Sequence, residues 1–257
     1  MPASIDLNAD LGEGFGVWTL GDDDGLLEVI TSANVACGFH AGDPTIMRRV
    51  CGQAVERGVV IGAQVSYRDL AGFGRRAMDV APDELVNDLI YQIAGLDGLA
   101  RVAGDRVRYV KPHGALYNVA ATSAEQAAAV VEAVRRYDPT LPLVGLAGSS
   151  ELLRQAEAAG LSAVPEAFAD RAYTPEGGLV SRRLADAVLR NPAEVATRCV
   201  RMVRDGVVLA VDGTSVAVDA RTICLHGDTP GAVDLAVQVR RALLEAGISL
   251  RPFAAPE

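Results

Sequence analysis

The chain has 257 residues, half of them hydrophobic, and a formal net charge of -9. That length sustains one large core and fits a single α/β domain over residues 1–257. No basic cluster interleaves with aromatics, no apolar run reaches bilayer length and no signal-peptide pattern opens the chain, so a soluble cytoplasmic protein is expected, with neither nucleic acid nor membrane as partner.

From Ser4 to Glu13 polar and apolar residues alternate. Ser4, Asp6, Asn8 and Asp10 share one face of a strand, and Ile5, Leu7, Ala9 and Leu11 the other. Burying carboxylates without partners costs several kcal/mol. The polar face therefore meets water, as a solvated edge strand would, or else a metal, cations or hydrogen-bonding groups. Asp6-x-Asn8-x-Asp10 is not a calcium loop, because Leu11 and Val17 stand where that loop needs Gly and Glu.

Helix and strand signals then alternate. Asp22 to Asp24 open a short helix through Leu26, Leu27 and Ile30, and Ala33 to Phe39 read as a buried strand. Asp43-Pro44 gives an N-cap and a first-turn proline for a helix to Arg57, stopped at Gly58. Strands follow at 59–63 and 107–111, separated by a loop at 67–78 and a long helix at 82–103. Ser123 with Gln126 caps a helix to Tyr137. Residues 141–146 and 163–168 read as strands around a helix started by Ser149-Ser150. An irregular loop covers 169–184, and Asn191-Pro192 caps a helix to Asp205. A hairpin turns at Asp212-Gly213. A strand at 222–225, a helix from Pro230 to Ala246 and a short strand at 248–251 complete the chain. Such alternation predicts a mainly parallel sheet with crossover helices. The polar strand ends favour a closed TIM-like barrel with its chemistry at the C-terminal rim. An open doubly wound sheet is the alternative, although Gly12-x-Gly14-x-Gly16 has the wrong spacing for a dinucleotide loop and no Walker A motif is present.

The three histidines, His40, His113 and His226, each follow an expected strand and lie close to a glycine. A parallel α/β fold puts all three on one rim with Asp10 and Glu13, which points to a shared site. Neutral imidazole suits acid/base work and metal ligation alike. Asp10, Glu13 and His113 are candidate catalytic groups, and His40, His226 and Asp10 a candidate metal set. The notion that Asp10 orients or charges His113 belongs here, with Lys111 opposing the rise in histidine pKa. Lys111 itself either neutralises Asp6 or Asp10 or binds a carboxylate or developing oxyanion. Asp6, Asn8, Gln64, Arg75 and Tyr117 are candidate substrate contacts, with Arg76 a second loop cation. Asp43 reads as an N-cap, and Asp228 as an N-cap or a site acid. Cys37 and Cys224, near His40 and His226, permit a Cys–His nucleophile pair, but the four cysteines form no Cys-x-x-Cys pair and read as small core residues.

Asp6-Leu-Asn-Ala-Asp-Leu-Gly-Glu13, Ser32-Ala-Asn-Val-Ala-Cys-Gly-Phe-His-Ala-Gly-Asp43, Val110-Lys-Pro-His-Gly-Ala-Leu-Tyr-Asn118, Val144-Gly-Leu-Ala-Gly-Ser149, Glu166-Ala-Phe-Ala-Asp-Arg171 and Cys224-Leu-His-Gly-Asp228 closely resemble the 5-oxoprolinase A-subunit family, also called LamB/YcsF. The resemblance spans almost the whole chain. It implies an irregular seven-stranded TIM-like barrel related to the glycoside hydrolase/deacetylase group. It also implies ATP-dependent opening of 5-oxo-L-proline to L-glutamate, with ADP and phosphate as products, together with partner subunits B and C. Mg²⁺ or another divalent metal could assist, and self-association stays open. Where the family usually carries histidine after its third strand, this chain has Gln64. Either His40, His113 and His226 suffice for a metal, or Gln64 only positions substrate. The competing readings are a stand-alone metal-dependent amide or sugar deacetylase and a non-catalytic substrate-binding component.

Overall fold

The computed structural model describes residues 3–228 and 231–254. In chain order its elements are β1 (Ser4–Leu11), α1 (Asp23–Leu27), β2 (Ser32–Ala36), α2 (Pro44–Arg57), β3 (Val60–Val65), α3 (Pro82–Ala103), β4 (Tyr109–Pro112), α4 (Gly114–Ala120), α5 (Ala124–Tyr137), β5 (Leu143–Leu146), α6 (Glu151–Ala158), β6 (Ala163–Phe168), α7 (Pro192–Asp205), β7 (Val207–Leu209), β8 (Ser215–Ala217), β9 (Thr222–Leu225), α8 (Ala232–Glu245) and β10 (Ser249–Leu250). β1 to β6 pair in sequence, β9 follows β6, and β9 pairs back with β1. The result is a closed barrel of seven parallel strands, as expected, and not an open sheet. β10 lies parallel beside β1, and β7 with β8 forms the separate hairpin.

Closure explains the alternation in β1. Ile5, Leu7, Ala9 and Leu11 are buried in the main apolar core. Asp6, Asn8 and Asp10 are buried too, and bond to groups on β2, β4, β6 and β9. β1 is therefore no solvated edge strand.

Several boundaries coincide with their sequence signals. Asp43 Oδ1 accepts from the amides of Thr45 and Ile46 at 2.8 and 3.0 Å, and Gly58 ends α2 in the left-handed region. Others move. β2 stops at Ala36, so Cys37 to Phe39 form the turn that carries His40. α4 has no distinct signal between His113 and the Ser123 cap. α8 starts at Ala232 with Gly231 as its N-cap, and the expected start at Pro230 lies outside the described residues.

The N-terminal end of the barrel is plugged. Val60, Tyr109, Val144 and Val164 pack with Phe253 and Ala254, and the Tyr109 and Phe253 rings meet edge to face at 4.9 Å. Gly62 makes room for this plug, because a Cβ there would sit 2.1 Å from Tyr109 Cζ. Gly62→Ala is expected to cost about 3 kcal/mol or more, since a packed core resists overpacking. Urea unfolding checks this: the loss should shrink in a Tyr109→Ala background, and an unchanged midpoint for Gly62→Ala would refute it.

Candidate active site

The interior polar residues form layers. Deepest is Asp6, which accepts from Thr31 Oγ1 at 2.7 Å and Ser32 Oγ at 2.6 Å, and from the Thr222 hydroxyl. Burial pushes its pKa up to about 6 against these bonds. Asn8 donates to Glu166 Oε1 at 2.9 Å and Thr222 Oγ1 at 2.6 Å, and its oxygen accepts from Asn34 at 2.6 Å. Asp6 and Asn8 thus spend their hydrogen bonds on the protein, and neither lines either of the two cavities described below.

Above them sits Lys111. Its Nζ lies 2.8 Å from Glu166 Oε1, 3.2 Å from Asp10 Oδ1, 3.1 Å from Cys224 Sγ and 3.4 Å from Asn8 Oδ1. Burial opposes its charge, but Asp10, Cys224 and Glu166 outweigh burial and hold the ammonium protonated. Burial likewise works against an ionised Asp10; Lys111, then His226 and His113, hold it well below the usual carboxylate range. The neutralising role of Lys111 is the one its geometry fits. Burial, then Asp10, raise the Cys224 thiol well above its usual pKa against the pull of Lys111, and burial raises that of Cys37, so neither is set up as a thiolate nucleophile.

The rim carries the histidines. His40 and His113 stack with centroids 4.1 Å apart. His40 Nε2 lies 3.1 Å from Gln64 Oε1, and Gln64 Nε2 donates to Glu13 Oε1 at 3.4 Å. His113 Nε2 lies 3.6 Å from the same Glu13 oxygen. His113 thus has Glu13 as its near partner, while Asp10, whose Oδ1 accepts from Lys111 and Asn34, acts on His113 through its charge in the expected sense. Burial first, then Asp10 and Asp228, push Glu13 well above its ordinary pKa. Burial, then His40, hold His113 well below its own. His226 differs: its Nδ1 lies 2.8 Å from Asp170 Oδ1, so a buried carboxylate orients the ring.

Arg75 pairs with Asp228 at 2.6 Å, which settles Asp228 as a rim acid, and Arg76 is bound to Asp69. Tyr117 Oη and Glu166 Oε2, both buried, lie close together and have no other hydrogen-bond partner, and His40 Nδ1 and His113 Nδ1 are buried without one. The loop after β3 closes over the histidines. Phe73, at φ 55°, meets the edges of both rings. A Cβ on Gly74 would lie 2.9 Å from His40 Cβ and 3.0 Å from His113 Nδ1, so only glycine permits this approach.

Two cavities reach the layer. One, of about 610 Å³, is lined by Asp10, Lys111, His113, Tyr117 and His226 and by four arginines, Arg75, Arg171, Arg182 and Arg183. The second, of about 390 Å³, reaches Glu13 and His40 past Phe15, Trp18 and Phe73. Asp170, Glu166, Asn34 and Arg171 belong to this architecture although none was singled out as a site residue. Glu166 carried a signal as the one polar residue of an otherwise apolar strand, and Asn34 as part of an alternation with Ser32. Asp170 follows β6 as His226 follows β9.

Among the described residues, two groups have ligand atoms within 4.8 Å of one another: Asp10, Cys224 and His226, and Glu13, His40 and His113. The expected set of Asp10, His40 and His226 is divided between them, because β2 and β9 flank β1 on opposite sides. In the first group the Lys111 ammonium already stands against Asp10 and Cys224. The second, with two imidazoles and one carboxylate, fits a transition metal better than Mg²⁺, which prefers oxygen.

The neutral histidines also set a pH limit. Burial holds His40 down to about 4, against the contrary pull of Gln64 and Asp10. Unfolded, it would take up a proton near pH 6.5, so this contribution is complete above that pH and is lost as pH falls towards 4. It amounts to about 3 kcal/mol. Asp6 works the other way, its ionisation disfavouring the fold as pH rises from about 4 to 6. His40→Gln should flatten the acid limb of a stability-versus-pH curve, and an identical limb in the variant would contradict the assignment.

Residues 5–257 match the model of the LamB/YcsF family. The chain is 61% identical over 251 residues to the 5-oxoprolinase A-subunit of Mycobacterium avium (strain 104), covering 98% of this chain and 99% of that one. It is 57% identical over 249 residues to the 5-oxoprolinase A-subunit of Acinetobacter baumannii (strain ACICU), covering 97% and 98%. The crystal structure of a lactam utilization protein from Thermus thermophilus superimposes with a TM-score of 0.92 at 43% identity, covering 97% of this chain and 100% of that one. The chain belongs to the LamB/YcsF family.

Proposed function

We propose that this chain is the component of an ATP-dependent 5-oxoprolinase that opens 5-oxo-L-proline to L-glutamate, as one domain over residues 1–257, in the cytoplasm, with partner subunits B and C. The observation that carries this reading is the meeting of Asp10, Glu13, His113 and the His226–Asp170 pair at one barrel mouth, in a chain highly similar to proteins named as the A-subunit of 5-oxoprolinase.

Ring opening of an unactivated lactam is unfavourable and needs coupling to ATP. In the proposed route ATP phosphorylates the lactam oxygen and leaves as ADP. Water then adds to the ring carbon, the carbon–nitrogen bond breaks with the nitrogen taking a proton, and a second water releases phosphate from the resulting acyl phosphate. His226, oriented by Asp170, accepts the proton of the attacking water. Asp10, kept ionised by Lys111, aligns that water. Glu13, whose pKa is pushed the opposite way from that of Asp10, keeps its proton and delivers it with His113 to the ring nitrogen; such a split between two carboxyl groups divides acid from base. Tyr117 lines the same cavity, with its hydroxyl beside Glu166. The nucleotide is bound with the partner subunits. The test is release of ADP and glutamate from 5-oxoproline with and without subunits B and C. The proposal expects turnover only in the mixture, and full turnover by the chain alone would overturn the division of labour.

A second reading, a metal-dependent amide hydrolase, rests on Glu13, His40 and His113. These residues would hold a divalent metal, which would supply Lewis-acid polarisation of a carbonyl. Elemental analysis of the purified chain, with amide hydrolysis assayed without ATP, distinguishes the two.

A further inference from the structure

Arg171 is a buried cation without a carboxylate partner. It is 6% exposed, yet it donates only to main-chain oxygens, those of Val180 at 2.5 Å and Ala187 at 3.3 Å. Two acids of this region are already engaged, Asp228 by Arg75 and Asp170 by His226. Among the described residues, Arg171, Arg182 and Arg183 form no ion pair. Burial first, then Arg182, lower Arg171 to about 10, with Arg75 acting in the same sense and Asp170 against it. Like charges gathered around a buried guanidinium disfavour the empty arrangement, in a protein whose net charge is -9.

All three arginines line the larger cavity. A lactam acid offers one carboxylate, and one guanidinium fork satisfies it. Three arginines without acid partners, in a cavity of about 610 Å³, exceed what so small an anion needs. A phosphoryl dianion presents three acceptor oxygens and suits several forks at once.

We infer that Arg171, Arg182 and Arg183 form a phosphoryl-group site that holds the phosphate of an O-phosphorylated lactam in the cavity that Asp10, His113 and His226 also line. The inference rests on the ring-opening function proposed above. The cluster would anchor the activated ring within reach of Asp10, His113 and His226, and the phosphate would derive from a nucleoside triphosphate.

The experiment is calorimetric titration of the full chain at fixed ionic strength with inorganic phosphate, acetyl phosphate, MgATP and acetate. Phosphate and acetyl phosphate should bind, and acetate should not. Arg182→Gln with Arg183→Gln, on an exposed loop, should weaken phosphate binding roughly tenfold or more. Arg171→Lys, which keeps the charge and loses the fork, should weaken it as well, with thermal melts confirming folded protein. MgATP binding no tighter than phosphate supports a phosphorylated small substrate. MgATP binding tenfold tighter, with the same arginine dependence, overturns the lactam assignment in favour of a nucleotide. Absence of phosphate binding, binding untouched by the arginine variants, or acetate binding equal to that of phosphate overturns the site. Glutamate release is measured on the same preparations with the partner subunits. Release without phosphate binding removes the arginine site alone, and phosphate binding without release removes the proposed function.

Discussion

Replacing Lys111 with methionine is expected to destabilise the chain by about 3–5 kcal/mol, because it strips the cation from two buried carboxylates. Asp10 and Glu166 both lie within 3.2 Å of Lys111 Nζ. Asn34 and Asn8 also donate to these acids, but an amide carries no charge. Without Lys111, burial dominates Asp10 and raises its pKa. Relative to the wild type, the variant should therefore be least impaired in acid, where the carboxyl is neutral, and lose further ground as pH rises through the new value, whereas Asp10 in the wild type disfavours unfolding at neutral pH. Urea unfolding of both proteins at pH 5 and pH 8 reads this directly. A variant equally stable at both values, with a wild-type midpoint, would mean that Lys111 does not neutralise the centre. Lys111→Arg should not rescue the loss, because the wider guanidinium must fit against Cys224, Asn8 and Phe168 in a packed interior.

Glu13→Gln and His113→Gln should each reduce glutamate release by roughly 10²- to 10⁴-fold, the usual worth of a positioned proton donor. The two side chains approach to 3.6 Å and their pKa values are displaced in opposite directions. They are proposed to handle one proton between them, so the double variant should be hardly worse than the worse single one. Folding should survive, because Glu13→Gln removes a buried acid whose ionisation the fold already opposes. Losses that multiply in the double variant would show independent roles, and near-normal release in either single variant would take that residue out of the mechanism.

Much of the fold was legible because its signals are local. Asp43 with Gly58, Ser123, and Asn191-Pro192 mark helix ends through hydrogen bonds within a few residues. The alternation in β1 identified its polar face, and barrel closure decided that this face is buried. Which histidine meets which acid was not legible, because it depends on barrel geometry. Asp10 and His113 line the same cavity, yet Lys111, two residues before His113, reaches Asp10 first. Asp170 and Arg171 escaped notice because an acid and a base after a strand look solvated until the loop through Val180 and Ala187 covers them. Phe73 and Gly74 were unreadable for the same reason: their positive φ angles matter only where they press on the stacked imidazoles.

The proposal that the lactam ring is opened at this mouth meets its most direct test in glutamate release by His226→Gln, assayed with the partner subunits beside the wild type. His226 lines the larger cavity and is oriented by Asp170, so its loss should lower glutamate release by roughly 10²-fold or more, with a thermal melt close to that of the wild type. Glutamate release at the wild-type rate by folded His226→Gln would contradict the account.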